Sequence, residues 1–442
     1  MYFLSRVLGF VRTILTYQKL SRLEADLLSN ADKIPTLIAT IFLMGTIFSS
    51  VLPVVSRLEM DSRQKVNRYL SIITLTVAGF LVVGLGLCAI LMEPLLELIT
   101  SQSIIQKANY AGLWSMYILT ARVALVIPLN FGIQAITGVL LNFNKRFLVF
   151  SLAGTIANFG SLAGLFLANG EFIKVLIGMV IGSCLSSLLY IWACLKMDYK
   201  FNWQLFHPQV LMSEIQVFGS ELKQTLKMFL PRLLLIDGFI IANLMIGKIS
   251  TSSGQAFAFE TAASIQSTFL IVITSLGMVF FPDLSRTLNN KSLGKMVFWE
   301  KLSKYLKTAI WLGIVISLLS TFGSQYVMKL FELAGKGQDN AKYIILLAQI
   351  SSFRLFFQAI KEILDKYLYA KEKQWEPMWL SLLSVLGQLI VFCILWAMEI
   401  DAGILAMLVL TSYYMVWCVL AMFVVRRDYL QEIPNQFKIY KQ

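Results

Sequence analysis

Ser5-Arg6-Val7-Leu8-Gly9-Phe10-Val11-Arg12 opens an apolar segment, and Lys33-Ile34-Pro35 opens a second one that ends Leu52-Pro53-Val54-Val55-Ser56-Arg57. A polar connection through Asp26 and Asp32 joins the two, so residues 5–57 read as a transmembrane hairpin. An arginine at membrane depth costs at least about 3 kcal/mol, and is turned toward a partner, a wet cavity or a bound anion. Arg6 and Arg12 are separated by about 9 Å of rise and about 120° of rotation on a helix. They are therefore placed to grip two separate points of one large anionic head group. The alternative is that Arg6, close to the chain start, and with less ease the deeper Arg12, snorkel to the membrane surface.

The rest of the chain has the same character. Of 442 residues 57% are hydrophobic and 14% charged, with a mean hydropathy of +0.72. Soluble domains carry about 25% charged residues, so the solvent of this chain is mostly lipid. Apolar runs of about 20 residues recur from end to end, each long enough for about 30 Å of hydrocarbon. Short alternating segments of the barrel type are absent. The opening segment keeps its arginines and has no small-residue cleavage site, so no cleavable signal is expected. Cys88, Cys184, Cys194, Cys393 and Cys418 lack metal or paired spacing, and His207 is the one histidine. The cysteines read as packing residues. The net charge of +13 is spread over the connections between spans, which is a topology signal and not a nucleic-acid footprint.

Twelve spans are expected, at about 1–20, 34–56, 69–94, 112–141, 146–168, 172–195, 228–249, 256–282, 306–330, 342–365, 376–398 and 402–425. Connections after even-numbered spans, with the C-terminal tail, carry roughly 23 Lys and Arg against roughly 9 on the other side, placing both termini in the cytoplasm. Leu52-Pro53-Val54-Val55-Ser56-Arg57 returns as Phe281-Pro282-Asp283-Leu284-Ser285-Arg286, and Leu141 to Phe147 parallels Tyr369 to Trp375. The expected architecture is thus an all-α polytopic membrane protein, two six-helix bundles in a parallel 6+6 pseudo-repeat around a central cavity. Its parts are an N-terminal bundle at 1–195, an amphipathic cytoplasmic linker at 196–227, a C-terminal bundle at 228–427 and a cytoplasmic tail at 428–442.

Further charges fall inside spans: Arg122, Arg232, Asp237, Glu260, Arg354, Lys361, Glu362 and Asp365. Arg354 and Lys361 are seven residues apart and share a helix face, so both can look into one cavity. For Lys361 the competing reading is pairing with the neighbouring acids Glu362 and Asp365. Arg232 follows Pro231 and reads as snorkelling to the membrane surface. Asp237, six residues before Asn243, is either a cation or proton site or half of an interhelical ion pair. Phosphate loops, zinc patterns and nucleophile elbows are absent.

The segment Ser5 to Arg12, followed by Asp26, Lys33-Ile34-Pro35, Gly45, Phe48-Ser49 and Pro53, resembles the opening hairpin of the MurJ-type (MviN) lipid II flippases. These belong to the multidrug/oligosaccharidyl-lipid/polysaccharide exporter superfamily. Phe281 to Arg286 is similar to the end of that family's eighth span. The resemblance implies a V-shaped pair of six-helix bundles with a cationic cavity. It further implies alternating access, moving undecaprenyl-pyrophosphate-linked peptidoglycan precursor from the cytoplasmic to the outer leaflet. Arg6 and Arg12 match the family's cavity arginines on span one, and Asp26 matches its outer acidic residue. Three departures stand out: family arginines fall here at about Ala39 and Ala263, the usual acid before the span-two glycine is Met44, and two further spans are not expected after span twelve.

The expected function is accordingly a lipid II flippase of the bacterial cytoplasmic membrane, not an enzyme. Arg6, Arg12, Arg354 and Lys361 are assigned to substrate, Asp26 and Glu260 to gating or ion pairing, and Asp237 with Asn243 to a cation. The alternatives are a flippase for another lipid-linked oligosaccharide such as an O-antigen, capsule or teichoic-acid unit, a cation-coupled drug exporter, and a non-transporting scaffold. No cofactor is expected, and coupling to sodium, protons or membrane potential stays open. The expected partners are the lipid-linked glycan, the bilayer and cell-wall synthesis proteins, with no nucleic acid.

Overall fold

The computed structural model describes residues 2–40, 47, 50–51, 54–55, 57–58, 62–144, 146–168, 171–197, 199–233, 237–289, 294–333, 338–371, 373 and 375–432. Met44, Gly45, Phe48, Ser49, Pro53 and the side chains of Arg6, Pro282, Ser285 and Arg286 lie outside what it describes. Helices dominate the described residues, and no strand occurs among them.

α1 (Tyr2–Lys19) and α2 (Arg22–Ile38) build the first hairpin. The polar connection between them is itself helical. Ser21 and Glu24 form a reciprocal cap, with the Glu24 amide donating to Ser21 Oγ at 3.3 Å and the Ser21 amide donating to Glu24 Oε2 at 2.8 Å. Two donors that α2 would leave unpaired are so satisfied. Asp26 therefore sits in the second turn of a helix.

Next come α3 (Arg63–Ile90), α4 (Met92–Ile99), α5 (Gln102–Tyr110), α6 (Trp114–Ala124), α7 (Val126–Phe143), α8 (Phe147–Leu167) and α9 (Phe172–Leu195). A 3-10 turn at Trp203–Phe206 leads to α10 (Pro208–Val217) and α11 (Gly219–Leu233). The remainder is α12 (Gly238–Ile249), α13 (Gln255–Asn289), α14 (Gly294–Leu333), α15 (Gln338–Ala370), α16 (Trp375–Trp396) and α17 (Ala402–Glu432). Among the described residues, seven stretches are long and apolar enough to cross a membrane: Arg63–Ile90, Trp114–Leu141, Phe172–Leu195, Met296–Tyr326, Ala341–Ala370, Trp375–Trp396 and Ala402–Glu432. Val7–Thr16, Leu152–Leu167 and Gly238–Ile249 are shorter apolar helices at three more expected spans. The expected spans 34–56 and 256–282 include residues outside those described.

The span expected at 112–141 is broken at Leu125, between α6 and α7. Pro128 has no amide and its ring clashes with the carbonyl four residues back, so the helix tightens there. Arg122, on α6, is exposed and donates to the Ala89 carbonyl at 3.1 Å, which corrects its reading as a buried charge. Arg232 is half-buried near the end of α11. The linker is two helices and a 3-10 turn, because Pro208 starts α10 and Phe218 ends it. Arg68 holds α10 against α3 by a double contact to Glu214, at 3.0 Å from Nε and 2.6 Å from Nη2.

The chain divides into two compact units. One comprises Met1–Leu234 with Gly247–Phe257, the other Leu235–Ile246 with Ala258–Gln442. In the first, α8 and α9 meet through facing glycines. A methyl placed on Gly160 would lie 2.5 Å from the Gly178 carbonyl oxygen, and one on Gly164 would lie 2.6 Å from that of Lys174. Lipid tails are as apolar as leucine, so close backbone approach and interhelical hydrogen bonds hold such helices together. Asn130 Nδ2 donates to Ser183 Oγ at 2.9 Å and Ser186 Oγ to the Ala153 carbonyl at 2.8 Å. Asn158 Nδ2 donates to the Ser5 carbonyl at 2.8 Å, seating α1 on α8.

In the second unit α13, α14 and α15 share a core of Ile273, Ile316, Leu355 and Ala359. Ion pairs of Lys373 with Asp428 (2.7 Å), Lys371 with Glu432 (2.5 Å) and Arg427 with Glu376 (2.9 Å) tie one end of α15 and α16 to the end of α17.

Candidate functional site

Each unit contains a buried polar cluster. In the first unit the buried face of α2 carries Asp26, Asn30 and Lys33, which are 0, 0 and 3% exposed. The Asp26 carboxylate accepts from the backbone amides of Gly254 and Phe257, the latter at 2.9 Å. These amides begin α13, where orphan N–H groups and the helix dipole favour a carboxylate. Asp26 is thus a capping group supplied from another helix. Gly254 has φ +98°, a conformation open to glycine and strained for other residues. The segment 247–257 is held further by the Ser101 amide donating to Gly247 O at 2.8 Å and by Lys248 Nζ donating to Glu97 O at 2.9 Å. Arg12 is half-buried on α1, where the Thr16 hydroxyl bonds its carbonyl at 2.9 Å.

In the second unit the cluster centres on Asp237, the residue before α12. Its Oδ1 accepts from the Phe239 amide at 3.0 Å and from the Tyr414 hydroxyl at 3.1 Å. Gly238 leaves room for the Tyr413 ring, which a methyl there would strike. Tyr413 and Ser381 hydroxyls lie 3.0 Å apart, and Gln388 Nε2 donates to the Gly238 carbonyl at 3.0 Å. Arg354 is 3% exposed, with its guanidinium 5.9 Å from the centre of the Tyr414 ring. Its Nε has no hydrogen-bond partner among the described residues. Both Arg354 and Lys361 feel the charge of Asp237.

Lys361 is differently placed. It bonds Asp365 at 2.6 Å and lies 4.6 Å from the centre of the Trp417 ring. Lys366 and Glu362 form the next pair at 3.1 Å. Glu260 is half-buried on α13, and Asn243 presents a buried Oδ1 with no partner among the described residues. Ala39 and Ala263 are packed at 1 and 5% exposure. Sequence reasoning missed Tyr413, Tyr414, Ser381 and Gln388, whose only signal was polarity inside apolar runs. It also missed the amides of Gly254 and Phe257, which carry no side-chain signal at all.

Taken together, a helical membrane chain with charges inside its spans has the build of a transporter, and solved structures agree on the fold. An inward-facing multidrug resistance MATE family transporter of the MOP superfamily matches with TM-score 0.77 and 13% identity, over 96% of this chain and 94% of that one. The lipid II flippase MurJ in an inward closed conformation matches with TM-score 0.75 and 18% identity, over 98% and 89%. No curated protein matches in sequence. The family profile of lipid II flippase MurJ covers residues 21–441, and the chain belongs to that family.

Proposed function

We propose that this protein flips the polyprenyl-pyrophosphate-linked peptidoglycan precursor, lipid II, from the cytoplasmic to the outer leaflet of the bacterial cytoplasmic membrane. The observation that carries the reading is family membership over residues 21–441. Transport proceeds by alternating access through a cationic cavity, with both termini in the cytoplasm. Arg6 and Arg12 on α1 and Arg354 on α15 bind the pyrophosphate, because a planar guanidinium fork suits multivalent phosphate oxygens. Lys361, already paired with Asp365, contributes long-range charge. Asp26 acts in gating by holding or releasing the start of α13, and Glu260 on the same helix acts with it. Asp237 and the Asn243 oxygen form the coupling site for sodium or a proton. Cell-wall synthesis proteins are the partners.

A second reading draws on Ala39 and Ala263, packed methyl groups at about the positions where the resemblance to the family implies arginines. With fewer cations the cavity suits another lipid-linked oligosaccharide. Proteoliposomes containing the purified chain and labelled lipid II separate the two. Translocation of lipid II that Arg12→Ala abolishes supports the first reading. An inserted, folded chain that leaves lipid II in its leaflet while moving a different polyprenyl-linked glycan supports the second. Repeating the assay with and without a sodium gradient tests Asp237, since Asp237→Asn is expected to remove any gradient dependence.

A further inference from the structure

We propose that the first unit contains a binding site for one hydrocarbon chain of an anionic phospholipid, independent of the transported substrate. Between α3, α7, α9 and the segment after α9 lies a cavity of about 500 Å³, within the range of ligand pockets. Its floor includes Leu81, Ile136, Leu140 and Cys194, at 2, 5, 2 and 1% exposure. Its mouth includes Leu195, Trp203 and Phe206, at 62, 74 and 61%.

The wall is apolar in effect as well as in composition. Thr74 donates to the Leu70 carbonyl at 2.7 Å and Thr137 to that of Ile133 at 2.6 Å. The Cys194 thiol faces the Thr137 carbonyl at 3.6 Å. These groups are spent inside the protein, and Tyr199 brings the one buried hydroxyl without a partner among the described lining residues. An occupant therefore meets mostly C–H and aromatic surface, and a polar ligand would lose most of its hydration. Because three of the walls are membrane-spanning helices, the cavity fills from the bilayer.

The mouth selects the head group. Trp203 stacks on Phe206 with ring centres 6.0 Å apart and meets Phe201 edge-on at 5.1 Å. Such rings favour the membrane–water interface. Exposed Lys200 stands between the lining residues Tyr199 and Phe201. Lys196 follows the lining residue Leu195 and lies 3.9 Å from the centre of the Trp192 ring. Arg63 donates to the Met197 carbonyl at 2.7 Å. Between Leu195 and Met212, Lys196 and Lys200 outweigh Asp198, the one acid in that stretch, so the opening attracts an anionic phosphate.

The test reads Trp203 fluorescence, as the difference between the full chain and Trp203→Phe, in vesicles of mixed phosphatidylcholine and phosphatidylglycerol. Bromine atoms are placed on the acyl chains of one lipid at a time. Quenching is expected to favour brominated phosphatidylglycerol about five-fold, with most of that preference lost in Lys200→Glu, an interaction of one cation with the head group. Ala78→Phe, which fills the cavity, is expected to abolish the preference; Lys200→Glu is a surface change that tests the same site without touching the core. Equal quenching by the two lipids, no quenching by either, or a preference that survives both variants overturns the proposal. Co-purification of a polyprenyl phosphate in place of phospholipid also overturns it.

Discussion

Asp26 and Arg354 show what single residues contribute. Asp26 satisfies two backbone donors of α13, and an unmet buried donor costs about 1–3 kcal/mol. Asp26→Ala is expected to lower stability by about 3 kcal/mol, and Asp26→Asn, which keeps a neutral acceptor, by about 1 kcal/mol. Thermal unfolding of the detergent-purified variants measures both, and equal losses would remove the charge from the explanation. Arg354 has the opposite profile, being buried with an unmet Nε. Replacing such a cation by an apolar side chain of similar length relieves a desolvation cost that offsets the lost attraction to Asp237. Arg354→Met is therefore expected to leave stability within about 1 kcal/mol while transport falls. A large loss of stability with transport retained would make Arg354 a structural residue. The sequence placed Arg354 as a charge of interest because a charge in an apolar run is conspicuous, and Asp26, in a polar connection, through its match to the family's outer acidic residue. Their partners were hidden, since amides at 254 and 257 and the aromatic ring of Tyr414 are brought in by tertiary packing.

At the scale of elements, the long apolar spans were legible because span length is fixed by bilayer thickness. What composition did not disclose was where helices break. The interruption at Leu125 follows from Pro128, yet proline in a span is compatible with a kink or a continuous helix. The helices α4 and α5 were invisible as well, because eight or nine residues of mixed polarity carry too little periodicity. The α8–α9 contact gives the clearest element-level expectation. Gly164→Val is expected to separate the helices and cost about 1–3 kcal/mol or more, the range for overpacking a close contact. Gly84→Ala, where a methyl meets nothing within 4 Å, serves as the control. Comparable unfolding temperatures for the two variants would contradict close packing as the cause.

At the scale of the whole molecule, the chain divides into two compact units. Gly247–Phe257 belongs with the first unit while the residues on either side of it belong with the second. Asp26, Ser101 and Glu97 provide the reason: their bonds hold this segment to the first unit. Only contacts between residues more than a hundred positions apart reveal it. Family membership makes lipid II transport the central claim, and the departures at Ala39 and Ala263 make it worth testing in cells. The most direct measurement is rescue of growth in bacteria depleted of their own lipid II flippase. The intact chain is expected to restore growth, and Arg12→Ala, inserted in the membrane at equal level, is expected not to. An intact and correctly inserted chain that leaves the depleted cells to lyse would contradict lipid II as the substrate.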